Sequence, residues 1–318
     1  MTGGVPMKRN RRQLSFTIYN LQFTICCAVF GVVSGWQGLF AQDVLPVKAL
    51  PERDHLQVDT LQLYSQRTDT VAVPRITFPA AFQQMKENEL IDSIGILNPF
   101  WEKLHSARLG SATDTIRIVH IGDSHIRGHI FPRTAGEQMK NTFGTLSYTD
   151  LGINGAFCTT FTRPDRLAEI AALRPDLLIL SFGTNESHNR RYNTMLHYQQ
   201  MDDLVRMLRD SLPDVPMLMT TPPGSYESFR QRRRSRTYSI NPRTVVAVQT
   251  IRKYADDNGL AVWDMYEVLG GSRRACLNWQ TAGLMRPDHV HYMPEAYTLQ
   301  GELLYQALIK AYNEYVDD

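Results

Sequence analysis

From residue 113 to the C-terminus, two patterns of hydrophobic positions alternate along the chain. Short, nearly continuous apolar runs predict buried β-strands, and longer segments with apolar residues every three or four positions predict amphipathic helices. The predicted strands cover residues 116–121, 147–151, 177–181, 217–220 and 261–263. The predicted helices cover residues 128–143, 164–173, 194–211, 243–258 and 294–315. This alternation predicts an α/β fold, a three-layer α/β/α sandwich around a parallel sheet of about five strands.

The residues before 113 carry weaker patterns. Residues 43–79 have no sustained periodicity and contain several prolines, which predicts an extended segment. Helices are predicted after it, over residues 80–93 and 99–107. We therefore expect three regions, which are an N-terminal leader over residues 1–42, an extended and helical lead-in over 43–112 and the main domain over 113–318.

The leader has the pattern of a signal peptide. A basic cluster at residues 8–12 is followed by an apolar run at 21–40 and then by the small residue Ala41. Cleavage near Ala41 predicts a periplasmic or secreted protein without stable membrane insertion. An uncleaved anchor helix is the alternative, although Trp36 and Gln37 interrupt the apolar run.

Composition and charge narrow the class of protein. Hydrophobic residues make up 43% of the chain and charged residues 21%, which is enough apolar material for a folded core. The leader holds four of the 34 basic residues and none of the 32 acidic ones, so the remainder carries 30 against 32. That balance does not predict a nucleic-acid-binding surface. Five arginines between Arg230 and Arg236 predict a solvated loop or, alternatively, a site for an anionic substrate.

The cysteine content does not predict a disulfide. Beyond the leader the chain has only Cys158 and Cys276. An oxidising compartment would permit one disulfide between them, but the sequence does not argue for it.

A serine follows the first predicted strand. The strand ends at Gly122-Asp123-Ser124, so Ser124 lies at a strand-to-helix turn, on the edge of the sheet where sites form. A serine hydroxyl becomes a nucleophile only beside a base. Taken alone, this motif is more typical of a turn with a helix cap.

The next two strands also end in polar turns. Asn185 follows the third strand, where its side-chain amide can donate to a developing oxyanion. Gly155 follows the second strand, where glycine lets a backbone N–H approach a ligand. An ordinary turn is the alternative for Asn185.

A carboxylate and an imidazole lie together before the last predicted helix, in Asp288-His289-Val290-His291. His291 is the predicted base for Ser124, and Asp288 would orient its ring and stabilise the imidazolium. His289 is the competing base. The His-x-His pair also suggests a zinc site, but two histidines are an incomplete ligand set. We therefore predict neither a metal nor a cofactor.

The remaining histidines of the main domain are assigned structural or surface roles by default. His125 is an exception, because its place beside Ser124 makes it a candidate substrate contact. The others are His120, His129, His188 and His197.

Together these motifs resemble the SGNH (GDSL-like) hydrolase family. Gly122-Asp123-Ser124 is similar to its first block, Gly155 to its second, Gly183-Thr184-Asn185 to its third and Asp288-x-x-His291 to its last. The resemblance implies a flavodoxin-like fold and a Ser-His-Asp triad. It also implies an oxyanion hole formed by the N–H groups of Ser124 and Gly155 and the amide of Asn185.

Two positions depart from the commoner pattern. They are His125 and Glu186, the second also a candidate substrate contact. The Gly-Asp-Ser-His form is similar to that of bacterial enzymes that act on O-acetyl groups of cell-wall or exported polysaccharides. The stretch 220–225, together with Trp263-Asp264, is similar to the Bacteroidetes members of this group. The resemblance therefore implies an acetylated glycan or another small ester as substrate.

These observations predict an exported, metal-independent carbohydrate O-acetylesterase. A polysaccharide O-acetyltransferase would use the same residues. A short-chain lipase or lysophospholipase is a second alternative, and a non-catalytic glycan-binding module with the same fold is the third.

Overall fold

The computed structural model describes residues 69–111, 114–230 and 236–317 of the chain. The predicted leader, most of the predicted extended segment and the centre of the arginine-rich stretch lie outside these residues. Within the described ranges, no helix combines the length and the apolar character that crossing a membrane requires.

Apolar runs form the strands of a six-stranded sheet. In chain order the strands are β1 (Leu90–Ile91), β2 (Ile116–Gly122), β3 (Leu146–Gly152), β4 (Leu177–Ser181), β5 (Met217–Thr220), β6 (Tyr226–Arg230), β7 (Arg236–Ile240) and β8 (Ala261–Trp263), of which β6 and β7 form a separate hairpin. The sheet order is β1-β8-β5-β4-β2-β3, with β1 antiparallel to β8 and every other pair parallel. The predicted α/β sandwich is confirmed, with six strands in place of about five.

Helices cover both faces of the sheet. They are α1 (Asn98–Arg108), α2 (Ser124–Arg127), α3 (Ile130–Phe143), α4 (Pro164–Ala172), α5 (Thr184–His188), α6 (Thr194–Ser211), α7 (Pro242–Asp257), α8 (Met265–Val268), α9 (Arg274–Thr281) and α10 (Pro294–Asp317). Residues of α1, α3 and α10 pack in one hydrophobic cluster, and those of α4 and α6 pack in the other.

The central strand β4 shows why its sequence is a continuous apolar run. Leu177 and Ile179 belong to the cluster on one face, and Leu178 and Leu180 belong to the cluster on the other. Because both faces of a parallel sheet are covered, neither set of alternating positions can be polar.

The predicted helix over residues 80–93 is wrong. Gln84 has a positive φ of 57°, which interrupts a helix, and the chain then runs into the short strand β1. Leu90 pairs with Trp263 on the edge of β8, and the Trp263 indole N–H donates to Asn88 at 2.8 Å. These tertiary partners satisfy an extended backbone here, and they outweigh the local helical pattern.

Arg230 and Arg236 are exposed and pair across the ends of β6 and β7, a hairpin that the sequence analysis missed. The sulfur atoms Cys158 Sγ and Cys276 Sγ are buried and unpaired, so the structure does not use the one disulfide that the sequence permitted.

Two glycines bring the turn that carries Ser124 close to the sheet. Gly122 and Gly152 are register partners at the ends of β2 and β3. A Cβ at Gly152 would lie 2.1 Å from the backbone nitrogen of Arg127 in α2. A side chain at this position would therefore push α2 away from the sheet.

We expect Gly152→Ala to lower the free energy of unfolding by about 3 kcal/mol, because a backbone atom in α2 must move to make room. Urea denaturation measures this change. Gly128→Ala is the matched control, because a Cβ there would meet nothing closer than 3.8 Å. Equal stability of the two variants would contradict the close packing of α2 on β3.

Candidate active site

The carboxyl ends of three parallel strands meet at one edge of the sheet. Gly122 at the end of β2 pairs with Gly152 of β3 and with Ser181 of β4. The turns that follow these strands carry Ser124, Gly155 and Asn185. All three residues line one cavity, as expected from parallel strands whose ends are in register.

A chain of hydrogen bonds runs from the serine through an imidazole to a carboxylate. Ser124 Oγ lies 2.9 Å from His291 Nε2, and His291 Nδ1 lies 2.9 Å from Asp288 Oδ2. Nε2 is therefore placed to accept the hydroxyl proton while Nδ1–H donates to the carboxylate. The structure thus brings the three predicted catalytic residues into the order that nucleophilic catalysis needs.

Asp288 is held as an anion by its own loop. Its Oδ1 accepts the backbone N–H groups of Val290 and His291, each at 2.8 Å. Burial acts to raise the pKa of this carboxyl, but these N–H groups and the His291 ring outweigh it and lower the pKa to about 2. The Asp288 carboxyl group is therefore ionised above about pH 2.

Backbone contacts fix the loop that carries Asp288 and His291. The N–H of Arg286 donates to the carbonyl of His291 at 2.8 Å, and Met285 forms a β-bridge with Tyr292. The buried Tyr292 hydroxyl donates to the carbonyl of Gly224. The loop therefore holds His291 through main-chain geometry on both sides of the ring.

The predicted oxyanion donors surround the same hydroxyl. Among the described residues, the N–H groups of Ser124 and Gly155 donate no hydrogen bond. Asn185 Nδ2 donates to the carbonyl of Ala156 at 2.9 Å and, more weakly, to Asp123 Oδ2 at 3.4 Å. A developing oxyanion would find two unused backbone donors and one weakly engaged side-chain donor.

The competing base His289 faces away from the serine. Its ring stacks on Tyr238 of β7 with centroids 4.1 Å apart and meets Tyr226 of β6 edge-on. The His-x-His pair therefore splits, with one ring on the hairpin and the other on Ser124. The two rings do not form a shared metal site.

His125 lies behind His291 and does not line the cavity. It is 5% exposed, its Nδ1 lies 2.9 Å from the Tyr297 hydroxyl, and its ring centroid is 5.5 Å from that of His291. Burial lowers the pKa of His125 to about 3, so the ring is neutral. The structure gives it a packing position beside the base instead of the predicted position against substrate.

Glu186 is also buried away from the cavity. Its two carboxylate oxygens accept the N–H groups of Cys158 and Gly183, each at 2.9 Å, which ties together the loops after β3 and β4. The structure therefore places this residue in support of the turn that carries Asn185.

Cys158, Glu186 and His197 form a buried cluster whose side-chain ligand atoms lie within 4.8 Å of one another. These are the residues among those described that could hold a metal ion. The cluster lies beside the Asn185 turn, and none of its members lines the cavity at Ser124.

The other histidines are held by neighbouring polar groups. His120 is buried between the hydroxyls of Ser181 and Tyr148, and His129 contacts Asp150. His188 Nε2 lies 2.8 Å from Ser225 Oγ. None of these three rings lines the cavity.

The cavity around Ser124 has a volume of about 710 Å³ and is lined by polar and charged side chains, two glycines and the ring of Tyr297. Besides the predicted residues it contains four side chains that the sequence analysis did not assign, Arg127, Asn154, Arg286 and Tyr297. Arg127 was within reach of sequence reasoning, because it follows Ser124 by three positions on a helix and so shares its face.

We expect the acid limb of the pH profile of kcat/KM to fall about tenfold per pH unit, the slope of one proton. Asp288 stays ionised down to about pH 2 and His125 stays neutral above about pH 3. Neither group therefore contributes a proton to this limb above about pH 3. Steady-state kinetics with an acetyl ester measure this slope.

The carboxyl group of Asp123 could add a second proton to the acid limb of the pH profile. Burial raises the pKa of this carboxyl to about 7, although the N–H of His125 acts against it. A limb with the slope of two protons would show that Asp123, beneath the serine, must also be ionised for activity.

Comparison with known proteins assigns the family. The model of the GDSL-like lipase/acylhydrolase family matches residues 120–299, more than half of the chain, and this segment contains every residue of the Ser124 cavity. A comparison with curated proteins finds no significant match.

Among solved structures, the chain is similar to a peptidoglycan O-acetylesterase, with 20% identity, a TM-score of 0.63 and coverage of 71% of this chain and 99% of that one. It also matches a lipase/acylhydrolase from Enterococcus faecalis, with 17% identity, a TM-score of 0.47 and coverage of 62% and 97%. A GDSL-like lipase from Bacteroides thetaiotaomicron matches with 20% identity, a TM-score of 0.44 and coverage of 67% and 98%.

At 20% identity, the similarity to the peptidoglycan O-acetylesterase shows a shared fold. The family match goes further, because it covers the fold and the site together. The chain therefore belongs to the GDSL-like lipase/acylhydrolase (SGNH) family and is a hydrolase of ester bonds.

Proposed function

We propose that the protein is an exported serine esterase that removes O-acetyl groups from a carbohydrate. The observation that carries this proposal is the continuous hydrogen-bonded chain from Ser124 through His291 to Asp288 beside unused oxyanion donors. Export rests on the signal-peptide pattern of residues 1–42.

The reaction follows from the positions of the side chains. Ser124 Oγ attacks the acetyl carbonyl as His291 Nε2 takes its proton, and the tetrahedral oxyanion accepts hydrogen bonds from Ser124, Gly155 and Asn185. His291 then returns the proton to the departing sugar oxygen. Water, deprotonated by His291, releases acetate from the acyl-enzyme.

The lining of the cavity favours a small acyl group on a polar alcohol. Its residues are Ser124, Arg127, Gly128, Asn154, Gly155, Asn185, Arg286, Asp288, His291 and Tyr297. No aliphatic side chain is among them, so a long acyl chain would contact only the Tyr297 ring and the methylene groups of polar side chains. The fold shared with a peptidoglycan O-acetylesterase supports the same class of substrate.

Acetate release from acetylated xylan, acetylated peptidoglycan and a chain-length series of 4-nitrophenyl esters tests this proposal. We expect Ser124-dependent release from at least one glycan, and kcat/KM for the aryl esters that falls as the acyl chain lengthens. A preference for long acyl chains with no release from any glycan would support the lipase alternative and overturn the proposal.

We expect Asn185→Ala to lower kcat by about 10²- to 10³-fold with little change in KM, because the amide acts on charge that appears in the transition state. The neighbouring Asn154→Ala is the control, since Asn154 lines the same cavity on the exposed loop after β3. A loss confined to KM would contradict the oxyanion role.

A further inference from the structure

Two guanidinium groups line the cavity around Ser124. Arg127 and Arg286 are both exposed, and within the described ranges neither lies within ion-pair distance of a carboxylate. Arg206, in contrast, contacts two carboxylates, those of Asp202 and Asp203. The cavity therefore contains two cations without counterions.

The acidic residue in the cavity does not compensate them. Among the residues that the structure describes, Asp288 is the only carboxylate that lines it, and both of its oxygens are engaged by its own loop and by the His291 ring. Without substrate, the cavity carries an excess of positive charge next to the nucleophile. A negatively charged group on the substrate would balance this excess.

Arg127 is held in place by a relay of side chains. Its Nη1 donates to His129 Nε2, and His129 Nδ1 in turn contacts Asp150 Oδ2. Because a guanidinium can only donate, His129 Nε2 accepts from Arg127, and the proton on Nδ1 is then donated to Asp150. One donor of the guanidinium is used in this way, and its other N–H groups are left for a ligand.

The two cations come from the same two segments as the catalytic groups. Arg127 lies one helical turn after Ser124 on α2, and Arg286 lies two residues before Asp288 on the C-terminal loop. A ligand bound to both would be positioned against the nucleophile and its base at the same time. This placement suits the alcohol part of the ester, since the acetyl group occupies the oxyanion donors.

We propose that Arg127 and Arg286 bind a carboxylate on the sugar that carries the acetyl ester, so that the substrate is an O-acetylated acidic carbohydrate. The inference rests on the proposed function and specifies its substrate class. Carboxylates match the guanidinium fork, which can donate two parallel hydrogen bonds to them. Such a carboxylate is found on the ring of hexuronic acids and on the ether side chain of some hexosamines.

Matched esters test the inference. The first pair is a monoacetylated methyl glucuronoside and its carboxamide, and the second is an O-acetylated hexosamine with a lactyl ether and its amide. Within each pair only the charge differs. For each pair, the kcat/KM of the carboxylate is divided by the kcat/KM of the amide. The pair with the larger ratio identifies the source of the carboxylate.

We expect this ratio to fall about three- to tenfold in Arg127→Gln and in Arg286→Gln, and further in the double variant. Arg174→Gln is the control, because Arg174 is exposed before β4, at the opposite edge of the sheet, and should leave the ratio unchanged. A ratio unaffected in both cavity variants overturns the inference.

The failure of the inference can be told from the failure of the proposed function. If both members of a pair are cleaved equally and Ser124 is required, the esterase proposal stands and the arginine inference falls. If no sugar ester is cleaved, the carbohydrate proposal falls. The ratio of kcat/KM for 3-acetoxybenzoate to that for 3-acetoxybenzamide then measures the contribution of the two arginines. We expect this ratio to fall in the cavity variants as it does for the sugar esters.

Discussion

Ser124→Ala is expected to lower kcat for acetyl ester hydrolysis by about 10⁵- to 10⁶-fold, the largest effect of any single substitution in this chain. The change removes the only hydroxyl within hydrogen-bond distance of His291 Nε2 among the described residues. Without it no acyl-enzyme can form, and only the oxyanion donors and the binding cavity are left to assist water. Release of 4-nitrophenol from its acetate ester measures the loss.

Ser147→Ala is the matched control for Ser124→Ala. Ser147 is exposed in β3, near the end of the sheet opposite to the cavity, so the same chemical change there should leave kcat unaltered. Near-equal activity of the two variants would show that the hydrolysis does not depend on the Ser124 hydroxyl.

Asp288→Asn is expected to lower kcat by about 10⁴-fold while the fold is kept. An asparagine oxygen can still accept the N–H groups of Val290 and His291, so the loop survives. Its NH₂ group would then face His291 Nδ1 and force the ring into the tautomer with the proton on Nε2. That ring cannot accept the proton of Ser124, and the charge that stabilises imidazolium is lost.

His289→Gln separates the two histidines of the segment. Because the half-buried His289 packs on Tyr238 of the hairpin and does not line the cavity, its loss should change kcat by less than about threefold, as for a substitution away from the reacting groups. If His289→Gln were the more damaging change and Asp288→Asn nearly silent, the assignment of the base would be reversed.

The fold was predictable where the pattern of apolar residues is long and local. The helix over Thr194–Ser211 and the strand Leu177–Ser181 were predicted with their observed bounds, because sustained periodicity specifies them without reference to the rest of the chain. The strand Leu90–Ile91 was not, because two residues carry no period and pair only when the edge of β8 is present. Tertiary contacts, and not local sequence, determine that this segment forms a strand.

The site was predictable where chemistry and topology coincide. Parallel strands must bring their carboxyl ends together, so polar turns after β2, β3 and β4 were expected to meet, and Asp288 and His291 share one short loop. The spacing Asp288-x-x-His291 indicated which histidine faces Ser124, and the positive φ of 56° at His289, which the sequence did not predict, accompanies the opposite placement of that ring.

Two candidate contacts show the limit of reasoning from proximity in sequence. His125 follows Ser124 directly, yet successive residues on a helix point in different directions, and its ring packs under Tyr297. Glu186 follows Asn185, and its carboxylate turns inward to bind two backbone N–H groups. Arg286 was missed because nothing in its sequence context separates it from other surface arginines.

Labelling with a fluorophosphonate tests most directly whether Ser124 is the nucleophile activated by His291. The account predicts a single adduct on the peptide that contains Ser124, formed in step with the loss of esterase activity and slowed by several orders of magnitude in His291→Ala. An adduct on another residue, or full activity after complete labelling of Ser124, would contradict it.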